Sequence, residues 1–122
     1  MSVPFSHHAN AQATFTPPLI ANGNAFLGDI FSSDKDNVEK PITAGFFRLE
    51  KGSSLVHTYI CDEMKLITEG EFQISDETGQ TVIAKPGDVF YFPRGTKATY
   101  TTESYGVGFY VRLFLPLRSD QC

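Results

Sequence analysis

The chain has 122 residues, a formal net charge of −4, 41% hydrophobic and 20% charged residues, and 11 Phe but no Trp. That length supports one core rather than two, and the composition is that of an ordinary globular domain. Lysines and arginines are scattered singly, so no basic stripe exists to track nucleic acid or an anionic membrane, and no apolar run approaches a membrane span.

Residues 1–24 are rich in Ala, Asn, Ser, Thr and Pro and show no sustained helical period, so they read as an irregular arm. The first 18 residues lack the basic start and apolar stretch of a secretory signal. His7 and His8 lie in this arm and are expected at its surface. Only two cysteines occur, Cys61 and Cys122, without C-x-x-C spacing. They read as reduced, intracellular thiols, and the expected location is cytoplasmic.

From Ala25 onward the pattern is one of strands and turns. Residues 26–31, 42–49 and 55–60 are expected strands, separated by the polar loop 32–41 and the turn Lys51-Gly52-Ser53-Ser54. Strands over 63–68 and 72–75 meet at Glu69-Gly70, and Asp76-Glu77-Thr78-Gly79 leads into 80–84. Lys85-Pro86-Gly87-Asp88 precedes 89–92, Pro93-Arg94-Gly95 breaks that strand, and 96–102 and 107–115 complete the set. About nine short strands with turn signals every 8–12 residues mark an all-β sandwich or barrel. The expected organisation is an arm over 1–24, a barrel over 25–117 and a polar tail over 118–122.

Two segments carry paired motif spacings. Gly52, His57, Glu63 and Gly70 follow G-x5-H-x-H-x3,4-E-x6-G, with four residues rather than five after Gly52 and Tyr59 in place of the second histidine. Gly87, Pro93 and Gly95 follow G-x5-P-x-G-x2-H-x3-N, with Ala98 at the histidine position and Thr102 at the asparagine position. In these motifs the chain resembles the cupin superfamily. Thr43-Ala44-Gly45-Phe46, Asp62-Glu63 and Ile83-Ala84-Lys85-Pro86-Gly87-Asp88-Val89 make it similar to the small ethanolamine-utilisation type. The resemblance implies a single-domain, jelly-roll-like antiparallel barrel and a homodimer, to which the apolar spots of the arm could contribute. It transfers no reaction.

A full cupin site holds a transition metal with three histidines and one carboxylate. Here His57 and Glu63 alone remain as ligands, so the expected cofactor is none. A divalent transition metal held by a non-standard set that draws in His7 or His8 stays open as an alternative. The remaining residues suit metal-free acid–base work. Alternate side chains of a strand share a face, so His57 and Tyr59 point inward together. Glu63 and Lys65 do so as well if the family register holds.

In that reading His57 is the general base or acid, and Glu63 orients it or shares its proton. Tyr59 donates to a carbonyl or enolate oxygen. Lys65 adds positive charge or acts as an amine nucleophile. Tyr110 and Arg112 share a face of their strand and are candidates for substrate binding, Arg112 as a carboxylate anchor. Phe92, or Tyr91 on the opposite side, walls the pocket. The expected function is a lyase or isomerase (dehydration, decarboxylation, enolisation or cyclisation) acting on a carbonyl-containing small molecule, such as a biosynthetic intermediate. A non-catalytic binding barrel stays open. So do plain structural roles: His57 as a satisfied core residue, Glu63–Lys65 as an ion pair closing the cavity, and Tyr59 as lining. A one-residue register shift would turn Lys65 to solvent.

Overall fold

A computed structural model describes residues 3–113 of the chain. One short helical turn, α1 (Ala11–Thr14), precedes ten strands: β1 (Leu19–Ala21), β2 (Ala25–Ser32), β3 (Ile42–Glu50), β4 (Leu55–Thr58), β5 (Glu63–Gly70), β6 (Phe72–Asp76), β7 (Thr81–Ala84), β8 (Val89–Phe92), β9 (Lys97–Thr101) and β10 (Tyr105–Leu113). They form two antiparallel sheets, β1-β2-β3-β10-β5-β8 and β4-β9-β6-β7. The fold is all-β, as the turn spacing predicts. The polar tail 118–122, Cys122 and the expected strand residues 114–115 lie outside the described residues.

Local chemistry sets the turns. The Asp76 carboxylate accepts from the Thr78 amide at 2.9 Å, and Gly79 takes φ 93°. The Asp88 carboxylate accepts from the Lys85 amide at 3.0 Å around Gly87, whose φ is 96°. These are the side-chain-locked turns that Asp and Gly favour. Gly70, at φ 65°, ends β5 so close to the Tyr105 carbonyl that a Cβ would collide with it.

The arm is more regular than its composition suggests. β1 lies inside it and pairs with β2 through Leu19↔Phe26 and Ala21↔Ala25. Asn22 and Gly23 connect the two strands with φ of 56° and 76°, the left-handed pair that a tight hairpin needs. A three-residue strand is too short to register as alternation, whereas the Asn-Gly step was a legible turn signal. The arm also lies against its own sheet: Phe15 is 6.1 Å from Phe46, and the Gln12 side chain donates to Glu69 at 2.9 Å.

The core sits between the sheets. Phe47, Leu49, Ile67, Phe72, Ile74, Ala84, Phe92, Ala98, Tyr100 and Tyr110 belong to one buried cluster. Each is an inward position of its strand, and the aromatic rings interlock. Phe47 stacks on Phe72 at 5.6 Å and meets Tyr100 edge-on at 5.2 Å. One end of the barrel is filled in this way, and the polar residues gather at the other.

Candidate functional site

A cavity of ≈ 150 Å³ opens at that polar end, lined among others by His57, Tyr59, Glu63, Lys65, Tyr100 and Arg112, with Ile20, Leu27, Phe47 and Leu55 as its apolar wall. It has room for several waters or for a small ligand. The strand registers explain the gathering. β5 pairs with β10 through Lys65↔Tyr110 and Arg112↔Glu63, which turns Glu63, Lys65 and Ile67 inward on one face. β4 pairs with β9 through His57↔Ala98 and Leu55↔Tyr100. Tyr59 lies just past the end of β4, held by its amide to the Thr96 carbonyl at 2.8 Å.

Lys65 is the centre of the site and is 4% exposed. Its Nζ lies 3.3 Å from Glu63 Oε2, donates to the Tyr100 hydroxyl at 3.0 Å, and reaches the Tyr59 hydroxyl at 3.5 Å. The rings of Phe47 and Tyr100 stand 4.8 Å from it, within cation–π range. Burial alone would pull the ammonium down. The Tyr100 oxygen and the Glu63 carboxylate outweigh that and hold it above the usual lysine value. Lys65 is therefore a protonated, fully partnered cation.

The two tyrosines extend this network. Tyr59 and Tyr100 hydroxyls are 2.5 Å apart. Lys65 donates to both oxygens, and either hydroxyl can be the donor of the bond between them. Burial, then the nearby Tyr100 and Glu63 oxygens, push the Tyr59 hydroxyl far above the tyrosine range, so it is a donor and never a phenolate ligand at neutral pH. Its ring stacks on Phe92 at 4.6 Å.

His57 is exposed along β4 but turns its ring edge-on to Tyr59 at 4.5 Å. Among the described residues no hydrogen bond reaches its ring. Partial burial of the ring, then the Lys65 and Arg112 cations, lower its pKa below the ordinary 6.5. It is neutral at pH 7, which leaves a ring nitrogen free to accept a proton.

Of the expected residues, the cavity brings together His57, Tyr59, Glu63, Lys65 and Arg112. The other three stand elsewhere. Tyr110 is 1% exposed and gives its hydroxyl to Asp29 at 2.5 Å; that bond and burial raise its pKa, burial first. It braces Arg112, whose guanidinium lies 5.4 Å over its ring and 3.5 Å from Asp29. Phe92 backs Tyr59 from the core, and Tyr91 is 55% exposed. Tyr100 was not expected, because nothing within its own strand marks it out; its role arises from the meeting of β9 with β4 and β5.

Cys61 also corrects an expectation. It lines the cavity at 4% exposure and is disulfide-bonded. Sequence spacing reports no spatial proximity, so the bond was not legible. No described helix is long and apolar enough to cross a membrane.

The residues present do not fit the metal that such barrels hold. Ala98 stands directly opposite His57, where the second motif would place a histidine. His8 is bonded to Thr14 on the arm at 3.0 Å. No cluster of three or more His, Cys, Asp or Glu suited to a metal exists among the described residues. The carboxylate that remains, Glu63, is engaged by an ammonium.

Comparison with known proteins places this geometry. Residues 40–107 match the model of the EutQ-like cupin domain. A curated relative, acetate kinase EutQ of Escherichia coli K12, is 37% identical over 78 residues; the match covers 64% of this chain and 31% of that protein. The chain thus spans about a third of that relative's length. The crystal structure of the putative ethanolamine utilization protein Q of Salmonella typhimurium LT2 superposes with a TM-score of 0.62 at 28% identity, covering 73% of this chain and 68% of the other. A protein of unknown function from Rhizobium leguminosarum bv. viciae 3841 superposes with a TM-score of 0.67 at 26% identity, covering 92% and 97%.

Proposed function

Because the chain belongs to the EutQ-like cupin family, whose barrel is a scaffold for many chemistries, we propose from its site that it is a small acid–base enzyme. It works as a lyase or isomerase, without redox cofactor or metal, on a carbonyl-containing small molecule. The observation that carries this reading is the hydrogen-bonded cluster of Glu63, Lys65, Tyr100 and Tyr59 beside the ring of His57 in a small apolar cavity.

The chemistry follows from the geometry. A carbonyl oxygen at Tyr59 receives a hydrogen bond that strengthens as negative charge develops on it, with the Lys65 cation one hydroxyl behind. His57 removes a proton from the adjacent carbon and can return it to another position or to a leaving group. Glu63 keeps Lys65 charged and in place. Arg112 at the mouth offers a guanidinium to a carboxylate on the substrate. We propose in addition a homodimer closed through the exposed apolar face of β5 and β8, where Met64, Leu66, Val89 and Tyr91 are 52%, 40%, 72% and 55% exposed.

The test is hydrogen–deuterium exchange at carbon. The chain is incubated in D2O with a panel of 2-oxo acids, 3-oxo acids and enones, and label in the substrate is followed by proton NMR. Catalysed exchange that is lost in His57→Ala, with binding of the compound retained, supports the proposal. Compounds that bind in the cavity but never exchange or react make the barrel a receptor instead.

A further inference from the structure

The polar groups of the cavity surround a cation that the chain itself carries. We infer that the Lys65 ammonium stands in the place a cupin metal would take and keeps divalent ions out. This goes beyond the proposed reaction and does not depend on turnover.

Four placements carry it. Glu63, the carboxylate of the first motif, is 7% exposed and has its Oε2 3.3 Å from Nζ. Across the β4–β9 pair His57 faces Ala98, so β9 offers a methyl group where a ligating imidazole would enter. Two residues further along the same face of β9, Tyr100 supplies a hydroxyl to the ammonium at 3.0 Å. The three N–H donors of Lys65 therefore have three oxygens in reach, from Glu63, Tyr100 and Tyr59.

A divalent ion shared by His57 and Glu63 needs a carboxylate oxygen at ~2.0–2.2 Å. That oxygen already faces the ammonium, and two cations in one buried site repel strongly. Lys65 cannot withdraw, since its side chain is 4% exposed and ringed by Phe47, Tyr59, Phe92 and Tyr100. A covalently tethered charge also differs from a metal in what it does. No chelator strips it, and it presents hydrogen-bond donors in place of open coordination positions.

The experiment converts one kind of site into the other. The full chain is titrated with Zn2+, Ni2+ and Mn2+ by calorimetry while thermal unfolding is followed. The wild type is expected to bind no ion at the site, and Ala98→His alone to remain at least a hundredfold weaker than the double variant. Ala98→His with Lys65→Met is expected to bind one Zn2+ or Ni2+ per chain and to regain thermal stability in a chelator-reversible way. A stoichiometric site in the wild type that Glu63→Gln abolishes overturns the inference. So does Ala98→His binding as tightly with Lys65 present as without it, or a folded double variant that takes no metal. Should circular dichroism show the double variant unfolded, the wild-type and Ala98→His titrations still decide. Tight binding in either that depends on Glu63 overturns the inference, and its absence in both upholds it where circular dichroism shows Ala98→His folded, since Ala98 is a buried position.

Discussion

The two faces of β5 are inverted relative to what packing alone would choose. Inward, Glu63, Lys65 and Ile67 are 7%, 4% and 1% exposed, while outward Met64 and Leu66 are 52% and 40% exposed. A strand with one solvated face usually places its apolar residues inside. On β6 that rule holds, with Phe72 and Ile74 buried and Gln73 exposed. The difference teaches where chemistry rather than packing chose the residue. Charges inside a barrel persist only when each has its partner, and here every inward polar group of β5 is bonded to another. Apolar residues outside are ordinary when single, but across the β5–β8 pair Met64 faces Tyr91 and Leu66 faces Val89, which makes a continuous patch.

The largest expected effect breaks the inward face. Glu63→Ala leaves the Lys65 ammonium buried without its counter-charge, and urea unfolding should show a loss of ~3–5 kcal/mol. Replacing both partners together, Glu63→Leu with Lys65→Met, should be near neutral, because each desolvation cost disappears with its charge. If the single variant loses under ~1 kcal/mol, the pair is not the coupled buried unit that its burial and distances indicate.

Next comes Tyr100→Phe, which takes one oxygen from Lys65 and the hydroxyl partner of Tyr59 and should cost ~1–3 kcal/mol. Tyr59→Phe should disturb the fold less but lower turnover by roughly 10²–10³-fold, the usual loss for one oxyanion donor. These two residues also mark how far the sequence could be read. The strands and most of their turns were legible, because Gly, Pro and Asp punctuate the chain, and the inward placing of Glu63 and Lys65 followed once the family register was assumed. Tyr100 was not. Along 96–102 it is one aromatic in an alternating strand, and its meaning comes from a contact with Tyr59, 41 residues away in sequence and just past the end of β4. Tyr110 and Phe92 were legible as inward residues but not as supports rather than contacts, since that depends on what stands between them and the cavity. The bond at Cys61 and the β1 hairpin were missed for the same kind of reason: one needs spatial proximity, the other rests on a strand of three residues.

A smaller effect links His57 to the charges behind it. Burial, Lys65 and Arg112 lower its pKa, and the ordinary value is 6.5. The unfolded chain then binds a proton at His57 more readily than the folded one. This residue's contribution to stability is therefore complete above pH 6.5 and declines as pH falls through the lowered folded value. The acid limb of any His57-dependent rate should fall below pH 6.5 as well. Proton NMR of the His57 ring should give a midpoint below 6.5, and Lys65→Met should move it upward. A midpoint indifferent to Lys65 would separate the imidazole from the inward cation.

The outward face should respond least in folding energy and most in assembly. Leu66→Glu and Val89→Glu replace side chains that are 40% and 72% exposed, so each should change the stability of the single chain by only about 0.5 kcal/mol. If the patch closes a dimer, either charge is desolvated against its own symmetry-related copy, since a two-fold contact sets the same face against itself. Sedimentation at micromolar concentration should then show a dimer for the wild type and a monomer for both variants, with the site chemistry unchanged. A wild type that stays dimeric with both glutamates in place assigns the dimer to another face. A wild type that is monomeric throughout leaves the inversion of β5 to its inward side alone: the charges there answer to the cavity, and the apolar residues outside answer to nothing.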